Sequence, residues 1–237
     1  PPVRDALALV ASWRIGRVER VRIDFQRPAT PEILGWRGDP ARSGGGVLMD
    51  GGLPACDLAR RFLGDVVAAH GSVQQHPDFA PGCESEAYAC FRDHDRAVAE
   101  VRACWENTAP SRYSLEVQGT QGHLTLDMNR WRLSGALDSG RIVFQPYLAE
   151  RMTERFFRNR HGCAQSFVHE VQAFVSTIKG RRLGRDEASG WDGSRVLEMI
   201  DAVYRSDRTG DEVVVHSAPV RRLGVARQSV ATRRRVA

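Results

Sequence analysis

A run of short, strand-like segments joined by tight turns constrains this chain most: residues 66–75, 86–93, 96–105, 112–119, 122–128, 130–134 and 141–145. Strands that follow one another with so little chain between them pair antiparallel, because a parallel neighbour needs a crossover of a dozen or more residues. The turns at His94-Asp95 and at Thr120-Gln121-Gly122 read as hairpins. Upstream, residues 17–26 set Val18, Val21, Ile23 and Phe25 among charged neighbours, as a half-buried strand does. Helical periodicity flanks these strands. One helix is expected over residues 3–14, stopped by Gly16. A second follows Gly44-Gly45-Gly46 and runs to Leu63, ahead of Gly64. Two more cover residues 166–179 and about 188–206, and a short strand over 212–216 closes the fold. Phe167 and Phe174 take the spacing of core residues on the third helix. The predicted class is α+β: an open, mainly antiparallel β-sheet with helices packed on one face.

The 237 residues suffice for a sizeable core. No apolar run approaches the roughly 18 residues of a membrane span, and no secretory leader is visible at Pro1-Pro2-Val3-Arg4-Asp5. Pro1 stands where an initiator Met would, so the chain is expected to be a fragment or processed. The five cysteines, Cys56, Cys83, Cys90, Cys104 and Cys163, are odd in number and lack paired spacing. That pattern points away from a disulfide framework and toward a reducing, cytoplasmic setting. The formal charge of +5 is concentrated at one end. Residues 218–237 hold six arginines and no acid, which leaves −1 over residues 1–217. Residues 1–217 are therefore read as the domain and 218–237 as a basic, disordered tail, with nucleic acid not expected as a partner. Lys179 is the single lysine, so any lysine-dependent step has one candidate. Dinucleotide (GxGxxG after a strand), Walker, HExxH and GxSxG motifs are all missing, and no histidine pair has metal-ligand spacing with a third ligand. No metal is expected.

The candidate chemistry gathers around residues 36–57. Asp50 and Asp57 stand seven residues apart, close to two helical turns, which places both on one face of the helix. Asp50 suits proton transfer or a grip on a substrate hydroxyl; a carboxylate near a helix start is also favourable on electrostatic grounds alone. Asp57 is either a substrate contact or a helix-surface acid paired with Arg60 or Arg61. Trp36 and Arg37 lie in the long loop before the glycines. Arg37 could hold a hydroxyl-rich or carboxylated substrate, or simply face water. The glycines either cradle a phosphate at the helix N-terminus or let the backbone approach its neighbours closely. Among the histidines, His161 and His169 are of interest. His169, on a helix expected near the sheet, is a candidate substrate contact and proton carrier, or a structural histidine.

Four segments in order resemble the C-terminal, substrate-side domain of the Gfo/Idh/MocA oxidoreductases. They are Ile15-Gly16-Arg17-Val18 leading into a strand, and Trp36-Arg37-Gly38-Asp39-Pro40 with Ser43-Gly44-Gly45-Gly46 and a helix ending Phe62-Leu63-Gly64. Next come Val117-Gln118-Gly119-Thr120-Gln121-Gly122-His123-Leu124, and Asp192-Gly193 through Ala202-Val203-Tyr204-Arg205-Ser206 to Thr209-Gly210. The resemblance spans about residues 3–217. It implies a two-domain enzyme that uses NAD or NADP to oxidise or reduce a sugar, polyol or similar small molecule by hydride transfer. It also implies a homo-oligomer associating through the open sheet face. The family's Rossmann half and its Glu-Lys-Pro segment are not in this sequence, so the chain alone is expected to be inactive. The family helix reads Asp-x-x-x-His-x-x-Asp. Asp50 and Asp57 match the two acids, but Pro54 occupies the histidine position and carries no proton. Pro54 is expected to bend or restart the helix. The alternative is a stand-alone, non-catalytic binding or assembly protein derived from that domain.

Overall fold

The computed structural model describes residues 1–106, 110–161, 164–182, 184 and 187–215. The arginine-rich tail, Cys163, His216 and the side chain of His161 lie outside the described residues. In chain order the elements are α1 (Pro2–Ala11), β1 (Val18–Arg27), two single-turn helices α2 (Pro31–Leu34) and α3 (Pro40–Ser43), and α4 (Leu53–Leu63). There follow β2 (Val66–Gln74), β3 (Glu86–Asp93), β4 (Val98–Trp105), β5 (Arg112–Gly119), β6 (His123–Asp127), β7 (Arg132–Ala136) and β8 (Ile142–Gln145). The chain ends with α5 (Leu148–His161), α6 (Gln165–Ile178), α7 (Gly190–Thr209) and β9 (Val213–Val214).

The nine strands form one sheet in the order β8-β7-β6-β5-β1-β4-β3-β2-β9. Every pairing is antiparallel except β1 with β4, which run parallel with Ile23 opposite Val101. The chain leaves β1 through α2, α3 and α4, builds β2 and β3, and only then returns beside β1; this long excursion supplies the crossover that a parallel pair requires. Period-two alternation sends Val21 and Ile23 of β1, Ala99, Val101 and Ala103 of β4, and Leu115 and Val117 of β5 to one buried face. On that face lie α1, α4 and α7. Small residues let α4 sit close: Ala55, Cys56 and Ala59 are fully buried beside Phe62 and Leu63. An ion pair between Arg60 of α4 and Asp192 of α7 joins the two helices, and a capping box of Ser189 and Asp192 starts α7.

The opposite face of the sheet carries the alternate residues and, among the described residues, no helix. Arg22 pairs with Glu100 at 3.1 Å, Arg102 with Glu86 at 2.6 Å and with Asp24 at 3.5 Å, and Arg112 with Asp24 at 3.2 Å. Arg102 also lies over the ring of Tyr88.

Two features depart from the sequence reading. No element was read over Leu148–His161, where α5 forms; its apolar Leu148, Met152 and Phe156 are diluted by four arginines and two glutamates, and all three stay exposed. The helix expected over 166–179 is present as α6, but Phe167 and Phe174 are not core residues. They are 62% and 65% exposed, and α6 has no buried residue, because it packs on α5 rather than on the sheet.

Candidate functional site

The loop after β1 is held by two local caps. The Thr30 hydroxyl accepts the Ile33 N–H and the Asp39 carboxylate accepts the Ala41 N–H, each with a proline at the first helical position. Between them a tight 3₁₀ turn, Gly35–Gly38, presents Trp36 and Arg37 to solvent. Trp36 is half exposed, with the Arg37 guanidinium 4.9 Å from the centre of its ring.

The glycines then thread between β3 and α7. A Cβ on Gly46 would fall on the backbone of Glu84, and one on Gly45 on the Tyr204 hydroxyl. Close approach is therefore what these glycines provide. The space gained is filled by the chain itself. The Glu84 carboxylate, 4% exposed, accepts the Gly46 N–H at 2.7 Å and the Leu48 N–H at 3.0 Å, and it takes the Tyr204 hydroxyl at 2.9 Å. Its own carbonyl accepts the Val47 N–H at 2.8 Å. The seat for an anion at this helix start is thus occupied by a protein carboxylate, and the phosphate alternative is set aside. Burial, reinforced by the charge of Glu84, pushes the Tyr204 phenol well above its ordinary value, so it remains a donor.

Asp50 sits one turn beyond, in a π-helical turn over Leu48–Gly52. Pro54 explains the turn. It has no N–H for the carbonyl of Asp50 and its ring crowds that position, so the chain widens and then restarts as α4. Gly51 lies against the ring of Phe25. Asp50 Oδ2 accepts Arg27 Nη2 at 2.5 Å, and its Oδ1 lies 3.3 Å from Arg37 Nε. The structure thus brings three sequence candidates, Trp36, Arg37 and Asp50, together with Arg27. The sequence reading missed Arg27, although parity marks it: it continues the inward row Val21, Ile23, Phe25 at the end of β1. It missed Glu84 as well, for which no local pattern gives a signal.

Asp57 and His169 lie elsewhere. Asp57 accepts Arg61 Nε at 2.7 Å in an i,i+4 pair, while its second oxygen is buried without a hydrogen bond among the described residues. The π-helical turn breaks the even spacing between Asp50 and Asp57, and the two carboxylates serve different arginines. His169 is exposed on α6, not beside the sheet. It lines a groove of about 1260 Å³ bounded by α5, α6 and the starts of α1 and α7, with Arg61 and Phe174, and it makes no contact with Asp50. Of the four cysteines among the described residues, all free, Cys56 is fully buried, and burial pushes its thiol up to about 12. Among the described residues no group of three or more His, Cys, Asp or Glu is placed to hold a metal ion, and no helix is long and apolar enough to cross a membrane.

Comparison with known proteins decides the family. A family model described as the GFO/IDH/MocA C-terminal domain matches residues 3–125. The chain belongs to the Gfo/Idh/MocA family. A curated relative, 1,5-anhydro-D-fructose reductase of Ensifer adhaerens, is 26% identical over 223 residues, which are 91% of this chain and 60% of the relative. Among solved structures, levoglucosan dehydrogenase in complex with NADH and levoglucosan aligns at 20% identity with a TM-score of 0.72, over 89% of this chain and 62% of that one. An oxidoreductase from Agrobacterium radiobacter, in complex with NAD⁺, L-tartaric acid and magnesium, aligns at 18% identity with a TM-score of 0.68, over 90% and 61%. The chain therefore spans about three-fifths of the length of each of these three proteins. At the position of the family histidine, Pro54 is exposed and carries no titratable atom.

Proposed function

We propose that this chain is the substrate-binding and oligomerising part of an NAD(P)-dependent oxidoreductase acting on a sugar, polyol or similar small hydroxy compound. The observation that carries the reading is the cluster at the π-helical turn: Asp50 held between Arg27 and Arg37, beside the half-exposed ring of Trp36. A carboxylate fixed by two guanidiniums is a preorganised acceptor for a substrate hydroxyl, and its partners supply donors to neighbouring oxygens. The indole offers a flat apolar surface to the C–H face of a sugar ring. The dinucleotide supplies hydride acceptance or donation; in this reading it is held by the portion of the relatives that this chain does not span. Asp57 acts through Arg61, and no role is assigned to His169. We place the chain in the cytoplasm, a reading that the free cysteines among the described residues support.

Titration with 1,5-anhydro-D-fructose and levoglucosan, followed through the indole N–H resonance of Trp36, tests this reading. The resonance is expected to shift with wild type and to stay still in Asp50→Asn. No shift with a folded protein would overturn the substrate role.

Association is assigned to the helix-free sheet face, where Tyr88 and the ion pairs of Arg22 and Arg102 lie open. Sedimentation should show an oligomer that Tyr88→Arg dissociates; a wild-type monomer at micromolar concentration would sink the assignment. Pro54 favours a second reading, a binding or assembly protein without catalysis. Absence of NAD⁺ reduction by a polypeptide that includes the dinucleotide-binding portion, with sugar binding intact, would select it.

A further inference from the structure

Glu84 is a buried acid that the substrate-binding reading leaves without a part. The three groups that bond its carboxylate, the Gly46 N–H, the Leu48 N–H and the Tyr204 hydroxyl, are neutral donors. Taking a carboxylate out of water is costly, and what the fold gains in return is a fixed start for the turn that carries Asp50. The Gly46 peptide is held on both sides: its N–H goes to Glu84, and its carbonyl accepts the Asp50 N–H at 3.1 Å. Between them, the Val47 N–H goes to the Glu84 carbonyl. Downstream the tie is weaker. Pro54 brings no N–H, so the α-helical bond from residue 54 back to the Asp50 carbonyl cannot form, and the chain passes through its π-helical turn there. The cationic partners of Asp50 are poor anchors as well. Arg27 and Arg37 come from different elements on long side chains that are 39% and 47% exposed. The place of the Asp50 carboxylate between them is therefore set from the upstream side, where Glu84 stands.

We propose that Glu84 is a positioning residue of the Asp50 site: by holding the Gly46 and Leu48 N–H groups it fixes where the Asp50 carboxylate stands between Arg27 and Arg37, and through that it sets the affinity for a hydroxy compound. The inference rests on the substrate-binding reading above and adds to it a residue that touches no substrate. Tyr204 belongs to the same device. Its hydroxyl reaches Glu84 from α7, which packs against the sheet, so the turn that carries Asp50 is referenced to the core rather than to the exposed loop at Trp36 and Arg37. A buried network whose members are all bonded holds one arrangement, and a site that binds through oriented oxygens depends on such an arrangement.

Two readouts on the 237-residue chain test this. One is the carboxyl carbon resonance of Asp50, which needs no ligand. The other is the affinity for levoglucosan and 1,5-anhydro-D-fructose, followed through the Trp36 indole resonance. Glu84→Gln keeps the shape but turns an amide NH₂ toward a donor. It is expected to move the Asp50 resonance and to weaken binding about tenfold, the scale of one lost hydrogen bond to a charged group. Tyr204→Phe removes one donor and leaves both N–H groups in place, so it should act in the same direction by about threefold; it carries the decision if Glu84→Gln does not fold. Phe62→Leu is the control. It loosens the core at the far end of α4 and should leave both readouts where they are, which a merely structural effect of Glu84 would not predict. An unmoved Asp50 resonance in the Glu84 and Tyr204 variants would overturn the proposal, whatever happens to affinity. So would an equal change in Phe62→Leu, or a moved resonance with affinity intact. In these cases the substrate reading stands as long as Asp50→Asn abolishes binding. Binding of neither probe by the wild type would overturn the substrate reading, and the role in affinity with it; the Asp50 resonance would then still decide whether Glu84 positions that carboxylate.

Discussion

The segment at residues 44–63 and the hairpin of α5 and α6 both carry apolar residues at helical spacing, yet one is clamped into the core and the other is bare. In α4 the inward positions are Ala55, Cys56, Ala59, Phe62 and Leu63, all buried against the sheet and α7. In α6 the stripe is Phe167, Val171, Phe174 and Ile178, each more than 60% exposed. Helical periodicity reports that a face is apolar; it says nothing about what covers it. Here the difference is made by small residues and by Glu84. Gly45, Gly46, Ala55 and Ala59 let backbones come close, and one buried carboxylate ties the helix start to β3 and, through Tyr204, to α7. At the start of α6 the Glu154 carboxylate accepts the Gln165 N–H at 3.1 Å, which ties α6 to α5 and not to the sheet.

The largest expected effect breaks that clamp. In Gly46→Val the new side chain meets the Glu84 backbone, which must move and give up the bonds to Gly46, Val47 and Leu48. Overpacking combined with lost buried hydrogen bonds is expected to cost more than about 4 kcal/mol and to abolish cooperative thermal unfolding. A melting temperature within a few degrees of wild type would show that the clamp does not hold this region. Phe62→Ala comes next, at about 3–5 kcal/mol, for a ring that is 4% exposed between α4 and its neighbours. Glu84→Gln is gentler. The shape is kept, but an amide NH₂ now faces a donor that the carboxylate satisfied, which costs about 1–3 kcal/mol in denaturant unfolding. The same variant should disturb the Trp36 resonance less than it disturbs those of Gly46 and Leu48, because Glu84 holds the helix start and not the loop.

The contrast between the two regions also marks what the sequence makes legible. The sheet could be read because alternation along β1, β3, β4 and β5 is nearly uninterrupted and the turns are short, so order along the chain implies pairing in space. The parallel contact of β1 with β4 could not, since it depends on where a long excursion returns. In the site, Asp50, Trp36 and Arg37 stood out by residue type and by their place around the glycines. Arg27 was passed over because a charged residue at the end of a strand looks like a surface residue, and only the parity of its inward neighbours says otherwise. Glu84 lies 38 residues from Gly46, and no local pattern links an acid before a strand to the N–H groups of a distant helix. His169 was expected near the sheet and lies away from it, for the same reason as the phenylalanines of α6: its helix was predicted well, and its packing partner was not.

The smallest expected effect is the sharpest test of the comparison. Phe174→Ala removes the same side chain as Phe62→Ala from a helix of similar length, and only the surroundings differ. With Phe174 65% exposed, its removal takes little from water-excluded contact and should change unfolding by no more than about 0.5 kcal/mol. Binding of an environment-sensitive dye such as ANS should fall, because the variant takes a ring out of a continuous apolar stripe. A cost close to that of Phe62→Ala would mean that α6 is covered in solution, by α5 in a tighter packing or by a second copy of the chain. Repeating the measurement over a hundredfold range of protein concentration separates the two, because only cover by a second copy depends on concentration. In either case the groove that holds His169 and Arg61 would be a closed space rather than an open face, and Asp57, which reaches that groove through Arg61, would gain a route to a buried ligand.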